Sequence, residues 1–324
     1  MCSSNICILL GAYNGSNYLK EQLESILCQS HNNWNVLIRD DASSDATLAI
    51  LNQYAAKDTR FLLQKDQQGN LGVIGNFNCL VEKALASSSN YFAFSDQDDL
   101  WHANKLSTQL ALLQRTEEKN PGQPVLVHSD MEVVDDSLAA ISSSFMSYQG
   151  IYHQVIDPLN VLLVQNFVTG CTMVMNRKLL EIAYPIPNQA LMHDWWIALC
   201  ASIFGCIEFV DQPLIKYRQH GNNQVGAKPL SKILNPFLYN WYQLWQLGRV
   251  NLIKSVIQAQ SLHQRILSYD RNNKYIDKVR AYSSMLDQTP VNRLKLLYSH
   301  AICPQSHIRK CLAISRFFSL SAKR

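Results

Sequence analysis

The chain has 324 residues, of which 47% are hydrophobic and 17% charged, and its formal net charge is +4 at pH 7. This length and apolar fraction are typical of one large or two modest globular domains, and they exclude a disordered chain, a collagen-like repeat and a disulfide miniprotein. The apolar runs fall far short of the roughly 20 residues that a membrane-spanning helix needs, and the first residues lack the pattern of a secretory signal. We therefore expect a cytoplasmic protein without a transmembrane helix.

The nine cysteines form no C-x-x-C pair, and several, such as Cys7, lie inside apolar stretches. This pattern favours free buried thiols over zinc ligands or disulfides. Free thiols also agree with a reducing compartment.

The charged residues are distributed unevenly along the chain. Residues 1–227 contain 13 Lys and Arg against 22 Asp and Glu, whereas residues 228–324 contain 16 against 3. Gly226 and Pro229 supply turn residues at this step. We therefore predict two domains, at 1–227 and 228–324.

The first half alternates short apolar runs with helically spaced apolar residues. This alternation is typical of βαβ units that build a mostly parallel sheet with flanking helices. The predicted strands span 5–11, 35–39, 61–64 and 91–95. Four helices are predicted. The first begins at Tyr18, and the second carries Leu48, Leu51 and Tyr54. The third spans about 75–86, and the fourth carries Leu106, Leu110 and Leu113.

Two of the predicted strands end in aspartates. Asp40 and Asp41 follow the second strand, and Asp96, Asp98 and Asp99 follow the fourth. Ligands of open α/β sheets bind beyond the carboxyl ends of the strands, so the two groups indicate one shared site. Clustered carboxylates favour Mg²⁺ or Mn²⁺, and Mg²⁺ commonly completes its coordination with substrate phosphates. Taken singly, each aspartate could instead cap a helix or face solvent.

Other phosphate-binding signatures are missing. The sequence has no G-x-x-x-x-G-K-[ST] motif, and no G-x-G-x-x-G motif follows the first strand. A dinucleotide-dependent oxidoreductase is disfavoured for this reason. Gly69, Gly72 and Gly75 are weak evidence, because loop glycines more often shape a turn.

Asp194 stands beside Trp195 and Trp196 in the sequence H-D-W-W. A partly desolvated carboxylate has a raised proton affinity, which suits a general base, and the tryptophan rings could stack on a sugar. An aspartate that caps a helix, followed by core tryptophans, explains the same residues. Both interpretations stay open.

The sequence Y-R-Q-H-G-N-N at 217–223 ends a predicted strand from Pro213 and combines a cation, an imidazole and several amides. Arg218 and His220 could hold phosphate oxygens or complete a metal site. A single histidine is more often structural.

The basic C-terminal region keeps helical apolar spacing from Leu230 to Val256. One interpretation is a helical bundle with a solvated basic face. Another is peripheral docking on anionic lipid, where each basic residue near the surface contributes about 1 kcal/mol. No nucleic-acid-binding motif accompanies the basic residues, so a nucleic-acid partner is not expected.

Together these segments resemble family 2 glycosyltransferases, inverting enzymes of the GT-A fold that use nucleotide-diphosphate sugars. The resemblance covers roughly residues 5–225, and the last two motifs look most like the rhamnosyltransferase subgroup. It implies an α/β GT-A fold, a Rossmann-like mostly parallel sheet with flanking helices, followed by a C-terminal α-helical region. The motifs that carry it are I-C-I-L-L-G-A-Y-N-G at 6–15, R-D-D-A-S-S-D-A-T at 39–47, S-D-Q-D-D-L-W at 95–101, H-D-W-W at 193–196 and Y-R-Q-H-G-N-N at 217–223.

The resemblance implies a nucleotide site at the first two motifs. Ala12, Tyr13 and Asn14 match the loop that lines the base. Asp41 matches the aspartate that hydrogen-bonds the pyrimidine, and Asp40 is its neighbour in the same motif.

The resemblance also implies roles for the later motifs. Asp96 matches the aspartate near the ribose, and Asp98 matches the ligand of a divalent cation, Mg²⁺ or Mn²⁺. His220 matches a position that approaches the metal or diphosphate, and Arg218 flanks it. Asp194 matches the catalytic base.

Asp99, Trp195 and Trp196 are the expected contacts to the acceptor or sugar. The chain departs from the family pattern at two positions: Ala42 replaces a frequent Gly, and Ala103 replaces a frequent Pro. We expect both replacements to be harmless.

The implied activity is transfer of a sugar, with rhamnose expected from the subgroup, from a dTDP- or UDP-linked donor to a saccharide acceptor. The expected acceptor is lipid-linked and belongs to a bacterial surface polysaccharide such as O-antigen, made at the cytoplasmic face of the inner membrane. Asp194 would take the proton from the acceptor hydroxyl in a single displacement that inverts the anomeric carbon. The alternative is a catalytically silent nucleotide-sugar-binding subunit that recruits partners through its basic tail.

Overall fold

The computed structural model describes residues 5–221 and 241–320, and contacts divide the chain into two compact units. The first unit comprises the described parts of Met1–Phe145, Val168–Ile186 and Phe204–Ala227, and the second those of Met146–Phe167, Pro187–Ile203 and Lys228–Arg324. This grouping differs from a division at residue 227 alone, because two earlier segments pack with the C-terminal helices. The predicted helical positions between 228 and 240 lie outside the described residues.

The first unit is built on a mixed sheet in which the described residues form nine strands. Their spatial order is β3-β2-β1-β4-β8-β6-β9-β5, with β7 paired to β6. The strands are β1 (Ile6–Ala12), β2 (Trp34–Asp40), β3 (Phe61–Leu63), β4 (Tyr91–Ser95), β5 (Leu100–Trp101), β6 (Val125–Val134), β7 (Ala140–Ser142), β8 (Val174–Asn176) and β9 (Cys206–Arg218).

The strand directions explain where the loops meet. Strands β1, β2, β3 and β4 are mutually parallel, and β6 pairs in parallel with β9. Strand β8 is antiparallel to both β4 and β6, so these two groups run in the same direction. Strands β5 and β7 run in the opposite direction. Six strands therefore end at the same edge of the sheet.

The described helices flank this sheet or build the second unit. Helices α1 to α4 and α7 belong to the first unit, and the others belong to the second apart from their end residues Phe145 and Phe204. The helices are α1 (Leu19–Leu27), α2 (Thr47–Lys57), α3 (Gly72–Leu85), α4 (Lys105–Lys119), α5 (Phe145–Gln149), α6 (Leu159–Leu162), α7 (Arg177–Ala183), α8 (His193–Phe204), α9 (Trp241–Tyr269), α10 (Ile276–Ser283), α11 (Pro290–Ser299) and α12 (His307–Ser319).

Burial follows the apolar patterns of the first half. Strand β1 is a continuous apolar run at the centre of the sheet, and its side chains from Ile6 to Leu10 are at most 1% exposed. Helix α1 buries Leu19, Leu23 and Ile26, which recur at the helical spacing of one face. The strands predicted at 5–11, 35–39, 61–64 and 91–95 are present within one residue at each end.

The other half of the sheet was not predicted. Strands β5, β7 and β8 have two or three residues each, too few to show an alternating pattern. Strand β9 begins at Cys206, whereas the sequence indicated a strand only from Pro213. Strands β5 and β8 depend on pairing across long sequence distances, whereas β7 pairs with the preceding strand, β6.

The second unit is helical among its described residues. Helix α9 buries Leu252, Val256 and Leu262 along one face. Side-chain oxygens of Thr289 and Ser306 cap helices α11 and α12. None of the described helices has the length and apolar character needed to cross a bilayer. The eight described cysteines are free thiols, as predicted, and Cys2 lies outside the described residues.

Candidate functional site

Loops from four strands meet at one edge of the sheet. The register places Ala12 beside Asp40 and Leu10 beside Ser95, so the loops after β1, β2 and β4 leave the sheet together. Strand β9 ends at this edge with Arg218. The edge therefore collects the motifs that the sequence analysis assigned to the nucleotide and the metal.

The loops after β1 and β2 are locked together by hydrogen bonds. The Asn14 side-chain oxygen accepts from Ser44 N at 2.8 Å, and Asn14 N donates to Ser43 Oγ at 2.9 Å. The Asp40 carboxylate accepts from Ser43 N at 3.0 Å and from Ser43 Oγ at 2.5 Å. Asn14 has a φ of 47°, in the left-handed region. Asn14 and Asp40 thus shape the predicted base-binding loop, whatever they contribute to a ligand.

Asp41 is buried, and protein groups surround its carboxylate. Leu71 N donates to Oδ1 at 2.8 Å and Gly72 N donates to Oδ2 at 2.9 Å. Arg39 lies 2.6 Å from Oδ1. Asp41 therefore fixes the glycine-containing turn at the start of α3, and its predicted contact with a pyrimidine stays a prediction.

Arg39 connects this region, although the sequence analysis gave it no role. Its guanidinium pairs with both oxygens of Asp66 at 2.7 and 3.1 Å and donates to Gly69 O at 2.9 Å. Desolvation opposes the charge, but hydrogen bonds with Asp66 and Asp41 raise the pKa of Arg39 above its usual value. The buried arginine therefore stays charged and neutralises the carboxylates beneath the edge.

Gln97 joins the nucleotide loop to the acidic turn. Tyr13 N donates to Gln97 Oε1 and Gln97 Nε2 donates to Tyr13 O, both at 2.8 Å. A Cβ on Gly15 would lie 2.1 Å from Gln97 Oε1, so a larger residue at this position would displace the Gln97 side chain. The Tyr13 ring is 47% exposed beside these bonds. Gln97 was not predicted as a site residue, and the only hint in the sequence was its place between two aspartates.

The structure brings together the two predicted metal ligands. His220 Nε2 lies 2.9 Å from Asp98 Oδ2, and their side chains are 8% and 17% exposed. The Tyr18 ring packs on the imidazole with 4.7 Å between ring centroids. A carboxylate oxygen with an imidazole nitrogen suits a divalent first-row metal such as Mn²⁺. The pair therefore fits the expected cation by donor chemistry.

Arg218 is bonded to the backbone of the acidic turn. Its guanidinium donates to Asp98 O at 3.3 Å and to Asp136 O at 2.6 Å, and it pairs with the Glu21 carboxylate. It also lies over the Tyr18 ring at 4.7 Å. These contacts position the loop that carries Asp98, and the predicted role of Arg218 beside a diphosphate stays a prediction.

A buried polar cluster lies on the inner side of the acidic turn. Ligand atoms of Asp96, Asp99 and Cys171 lie within 4.8 Å of one another. Burial raises the pKa of Asp99 well above its usual value, and the charges of Asp98 and Asp96 raise it further. The Asp99 side chain is 1% exposed. It has no surface for an acceptor in this conformation, so that contact stays a prediction.

Lys105, the first residue of α4, is fully buried. Its ammonium lies 4.0 Å from the centre of the Trp101 ring, and burial lowers its pKa to about 7. A charged Asp99 opposes this shift, because its negative charge favours the charged form of Lys105. The acidic turn therefore adjoins the buried residues Asp99, Cys171 and Lys105, which were not predicted from the sequence to lie together.

Asp194 lies in the first turn of α8, in the second unit. Its Oδ1 accepts from Trp195 N at 2.5 Å and from Asn166 Nδ2 at 3.3 Å. Among the described aspartates and glutamates of the second unit, Asp194 is the buried one. A carboxylate held in this way suits a general base, and that role stays a prediction.

The two tryptophans of the H-D-W-W motif differ in position. Trp195 Nε1 donates to Leu162 O at 2.6 Å, and the side chain is partly exposed. Trp196 is fully buried, with the Arg265 guanidinium 5.5 Å from its ring centre. Burial also lowers the pKa of the neighbouring His193 to about 3. Trp196 is therefore a core residue in this conformation, and its predicted contact with a sugar stays a prediction.

The predicted site residues thus fall into two sets. Asp194, Trp195 and Trp196 belong to the second unit. The residues that the first unit carries at or beneath the sheet edge are Ala12, Tyr13, Asn14, Asp40, Asp41, Asp96, Asp98, Asp99, Arg218 and His220.

Comparison with known proteins identifies the family of this chain. The model of the family described as glycosyl transferase family 2 matches residues 7–182. The chain is 27% identical to the dTDP-rhamnosyl transferase RfbG of Shigella flexneri over 72% of this chain and 81% of that protein. It is 25% identical to an uncharacterized glycosyltransferase, RP339, of Rickettsia prowazekii over 87% of this chain and 85% of that protein.

Solved structures share the fold at low identity. S. aureus TarS 1-349 in complex with UDP superposes with a TM-score of 0.53 at 17% identity, covering 97% of this chain and 88% of that one. The mannosyltransferase PcManGT from Pyrobaculum calidifontis, in complex with GDP-Man and Mn²⁺, superposes with a TM-score of 0.50 at 16% identity, covering 98% and 80%. These likenesses confirm the predicted GT-A fold with a helical C-terminal region. Because the family model spans more than half of its residues, the chain belongs to glycosyl transferase family 2 and is a glycosyltransferase.

Proposed function

We propose that the protein is an inverting transferase that moves a sugar from a nucleotide-diphosphate sugar to a saccharide acceptor. The observation that carries this proposal is the 2.9 Å contact between Asp98 and His220 at the sheet edge. The loop of Tyr13 and Asn14 is fixed to the same edge by Gln97. One edge thus carries the proposed ligands of a cation and the proposed loop for a nucleotide base.

The donor we propose is dTDP-rhamnose. Its support is the similarity to a protein described as a dTDP-rhamnosyl transferase. UDP and GDP-mannose, which occur in the complexes of structural neighbours, are the alternatives to compare. The exposed Tyr13 ring offers an aromatic surface for a nucleotide base.

Asp98 and His220 are the proposed ligands of a divalent cation, Mn²⁺ or Mg²⁺. When bound, such a cation offsets the negative charge of a departing nucleotide diphosphate. Arg218 and Gln97 keep the turn that carries Asp98 in place through hydrogen bonds to backbone and side-chain groups. These residues therefore prepare the site before a ligand binds.

Asp194 is the proposed general base. It would take the proton from the acceptor hydroxyl as that oxygen forms its bond to the anomeric carbon and the bond to the diphosphate breaks. A single displacement of this kind inverts the configuration of that carbon. Trp195 N and Asn166 hold Oδ1 of the carboxylate, which fixes its orientation.

The acceptor we propose is a lipid-linked saccharide of a bacterial surface polysaccharide such as O-antigen. The enzyme would meet it at the cytoplasmic face of the membrane through residues 228–324. The support for membrane contact is charge, since the described residues 241–320 contain twelve Lys and Arg against three Asp. These positive charges favour a surface with anionic lipid.

A donor panel tests the proposal. The protein is incubated with Mn²⁺ and dTDP-rhamnose, UDP-linked sugars or GDP-mannose, and release of the nucleoside diphosphate is measured. We expect dTDP-rhamnose to be turned over fastest. If no donor is turned over while dTDP still binds, the chain is the silent nucleotide-sugar-binding subunit instead.

A further inference from the structure

The last described helix, α12, carries apolar side chains on its solvent face. Ile308, Ile314 and Phe318 are 41%, 48% and 55% exposed, and Cys311 is also exposed. Their positions recur every three or four residues, so they form one stripe along the helix. The opposite face buries Ala313 and Phe317. Helix α12 therefore presents apolar side chains both to solvent and to the core of its unit.

Basic residues border this stripe. Helix α12 contains Arg309, Lys310 and Arg316 and no Asp or Glu. Arg309 donates to the carbonyl oxygens of Gln149 and Gly150 at 2.6 and 2.5 Å. Arg316 donates to Leu244 O at 3.3 Å. Both arginines are therefore held against backbone carbonyl groups beside the helix, and no carboxylate of the helix neutralises the three cations.

A second exposed apolar segment is attached to the start of α12. Gln305 Nε2 donates to Tyr152 O at 2.7 Å, and Gln305 Oε1 accepts from Tyr152 N at 3.1 Å. The loop fixed by these bonds exposes Val155 by 79% and Ile156 by 76%. These are the most exposed aliphatic side chains among the described residues. Val155 and Ile156 thus follow Tyr152 by three and four residues, and the stripe begins three residues after its partner Gln305.

We propose that this surface docks on a lipid leaflet that contains anionic phospholipid. The docking surface consists of the α12 stripe (Ile308, Cys311, Ile314 and Phe318) and the loop side chains Tyr152, Val155 and Ile156. A helix with an apolar stripe and basic flanks lies in the plane of a membrane interface. The inference rests on the proposed function, because a leaflet is where a lipid-linked acceptor resides.

The positive charge beside the docking surface favours an anionic leaflet over a second copy of this chain as the partner. Two docking surfaces placed face to face would bring cationic flanks together without carboxylates from α12 between them, which is repulsive. An anionic leaflet attracts the same flanks and buries the apolar side chains. Two segments far apart in sequence, 152–156 and 308–318, contribute the exposed apolar side chains, so a surface confined to residues 228–324 is incomplete.

Vesicle binding of the full chain tests the proposal. Sedimentation is measured with phosphatidylcholine vesicles and with vesicles that also contain phosphatidylglycerol. We expect binding to the mixed vesicles, and an Ile314→Asp/Phe318→Asp variant should bind on the order of a hundredfold more weakly. Ile141→Asp is the matched control, since Ile141 is 45% exposed in strand β7 of the first unit. Equal binding of the wild-type chain and the double variant would overturn the proposal.

Native cysteines provide a second readout that does not depend on folding of a charged variant. Cys311 lies on the docking surface, whereas Cys28 is an exposed thiol of the first unit. A polarity-sensitive fluorophore is attached to Cys311 in a Cys28→Ser chain, and to Cys28 in a Cys311→Ser chain. Mixed vesicles should shift the emission of the first label to shorter wavelength and leave the second unchanged. A shift that instead follows protein concentration without vesicles would show a second copy as the occupant.

Turnover separates this inference from the proposed function. Release of dTDP with a water-soluble acceptor, measured without vesicles, should be equal in the wild-type chain and the Ile314→Asp/Phe318→Asp variant. Intact turnover without vesicle binding in the wild type would reject the docking surface and keep the function. Vesicle binding that depends on this surface, without turnover of any donor, would reject the function and keep the docking surface.

Discussion

Arg39 in the first unit and Arg293 in the second are both buried, at 2% and 0% exposure, but their partners differ. Arg39 pairs with Asp41 and Asp66. Arg293 donates to the backbone oxygens of Met285 at 2.7 Å and Phe317 at 3.0 Å and to those of Leu286 and Leu320. Desolvation leaves the pKa of Arg293 lowered, whereas carboxylate partners reverse this effect at Arg39. Acids therefore neutralise Arg39, whereas carbonyl groups solvate Arg293.

This contrast gives physical meaning to the uneven charge of the chain. The described residues of the first unit contain 20 Asp and Glu against 13 Lys and Arg, and those of the second contain 5 against 12. Surplus carboxylates of the first unit gather where strands end, which is where we propose a cation site. Surplus cations of the second unit have few acids to pair with, so they bind carbonyl groups or remain on the surface.

The largest expected effect concerns the buried acid of the basic unit. Asp194→Asn removes the proposed proton acceptor but keeps the shape of the side chain, so kcat should fall by about 10² to 10⁴. Donor binding should be retained, because the proposed donor ligands belong to the first unit. Steady-state kinetics and dTDP titration measure the two quantities. Asp157→Asn, at an exposed position of the second unit, is the control. Loss of donor binding in Asp194→Asn would refute the assignment of the base.

Replacement of the two buried arginines probes the comparison itself. Arg293→Met should lower the free energy of unfolding by about 3 kcal/mol or more, because several buried carbonyl groups lose their donor. Arg39→Met leaves Asp41 buried without its cation and should cost about 3 to 5 kcal/mol. Denaturant unfolding of both variants measures these losses.

Acidification should separate the two variants. Hydrogen bonds from Arg39 lower the folded-state pKa of Asp66. The contribution of this pair to the free energy of unfolding is therefore present above the unfolded pKa of Asp66, about 3.9, and is lost as pH falls through the lowered folded-state pKa. The penalty of Arg39→Met should therefore shrink below about pH 4, while that of Arg293→Met should not change. Equal pH dependence of the two penalties would contradict the proposed difference in partners.

Gln97 tests whether a neutral amide aligns the two loops of the first unit. Gln97→Glu keeps an acceptor for Tyr13 N but removes the donor to Tyr13 O and adds a charge to the acidic turn. We expect the KM for the donor to rise about tenfold, with a smaller change in kcat. Gln53→Glu, at an exposed position of α2, is the matched control and should have no effect.

Ala42 gives the smallest effect and corrects an expectation from the sequence. The residue has a φ of 63°, a conformation that is strained for alanine and not for glycine. Its replacement of the family's glycine is therefore not harmless. Ala42→Gly should raise the free energy of unfolding by about 1 kcal/mol, measured by thermal or denaturant unfolding. Ala56→Gly, on the exposed side of α2, should change it in the opposite direction by a similar amount.

Strands and motifs that are determined by a short stretch of sequence could be predicted. Strand β1 is a continuous apolar run, and Asp40 and Asp96 follow apolar runs directly, so the strands and their acidic ends could be placed. The GT-A fold followed from the five motifs in order. The same motifs named Asp98 and His220 as a pair, and the structure brings them together.

Features that depend on distant partners could not be predicted. The bonds between Tyr13 and Gln97 span 84 positions, and no local pattern marks either residue as a partner of the other. The short strands of the sheet exist only through pairing, and the segment of Asp194 joins the C-terminal helices through packing. The exposure of Val155 is likewise set by tertiary structure.

Binding of Mn²⁺ tests most directly the central claim that Asp98 and His220 form a cation site at the acidic sheet edge. Electron paramagnetic resonance measures free Mn²⁺ during titration of the protein with dTDP present, for the wild-type chain, Asp98→Ala, His220→Ala and the exposed control Asp211→Ala. We predict that the wild type and the control bind Mn²⁺ equally and that both site variants bind it at least about tenfold more weakly. Wild-type affinity in Asp98→Ala would contradict the claim.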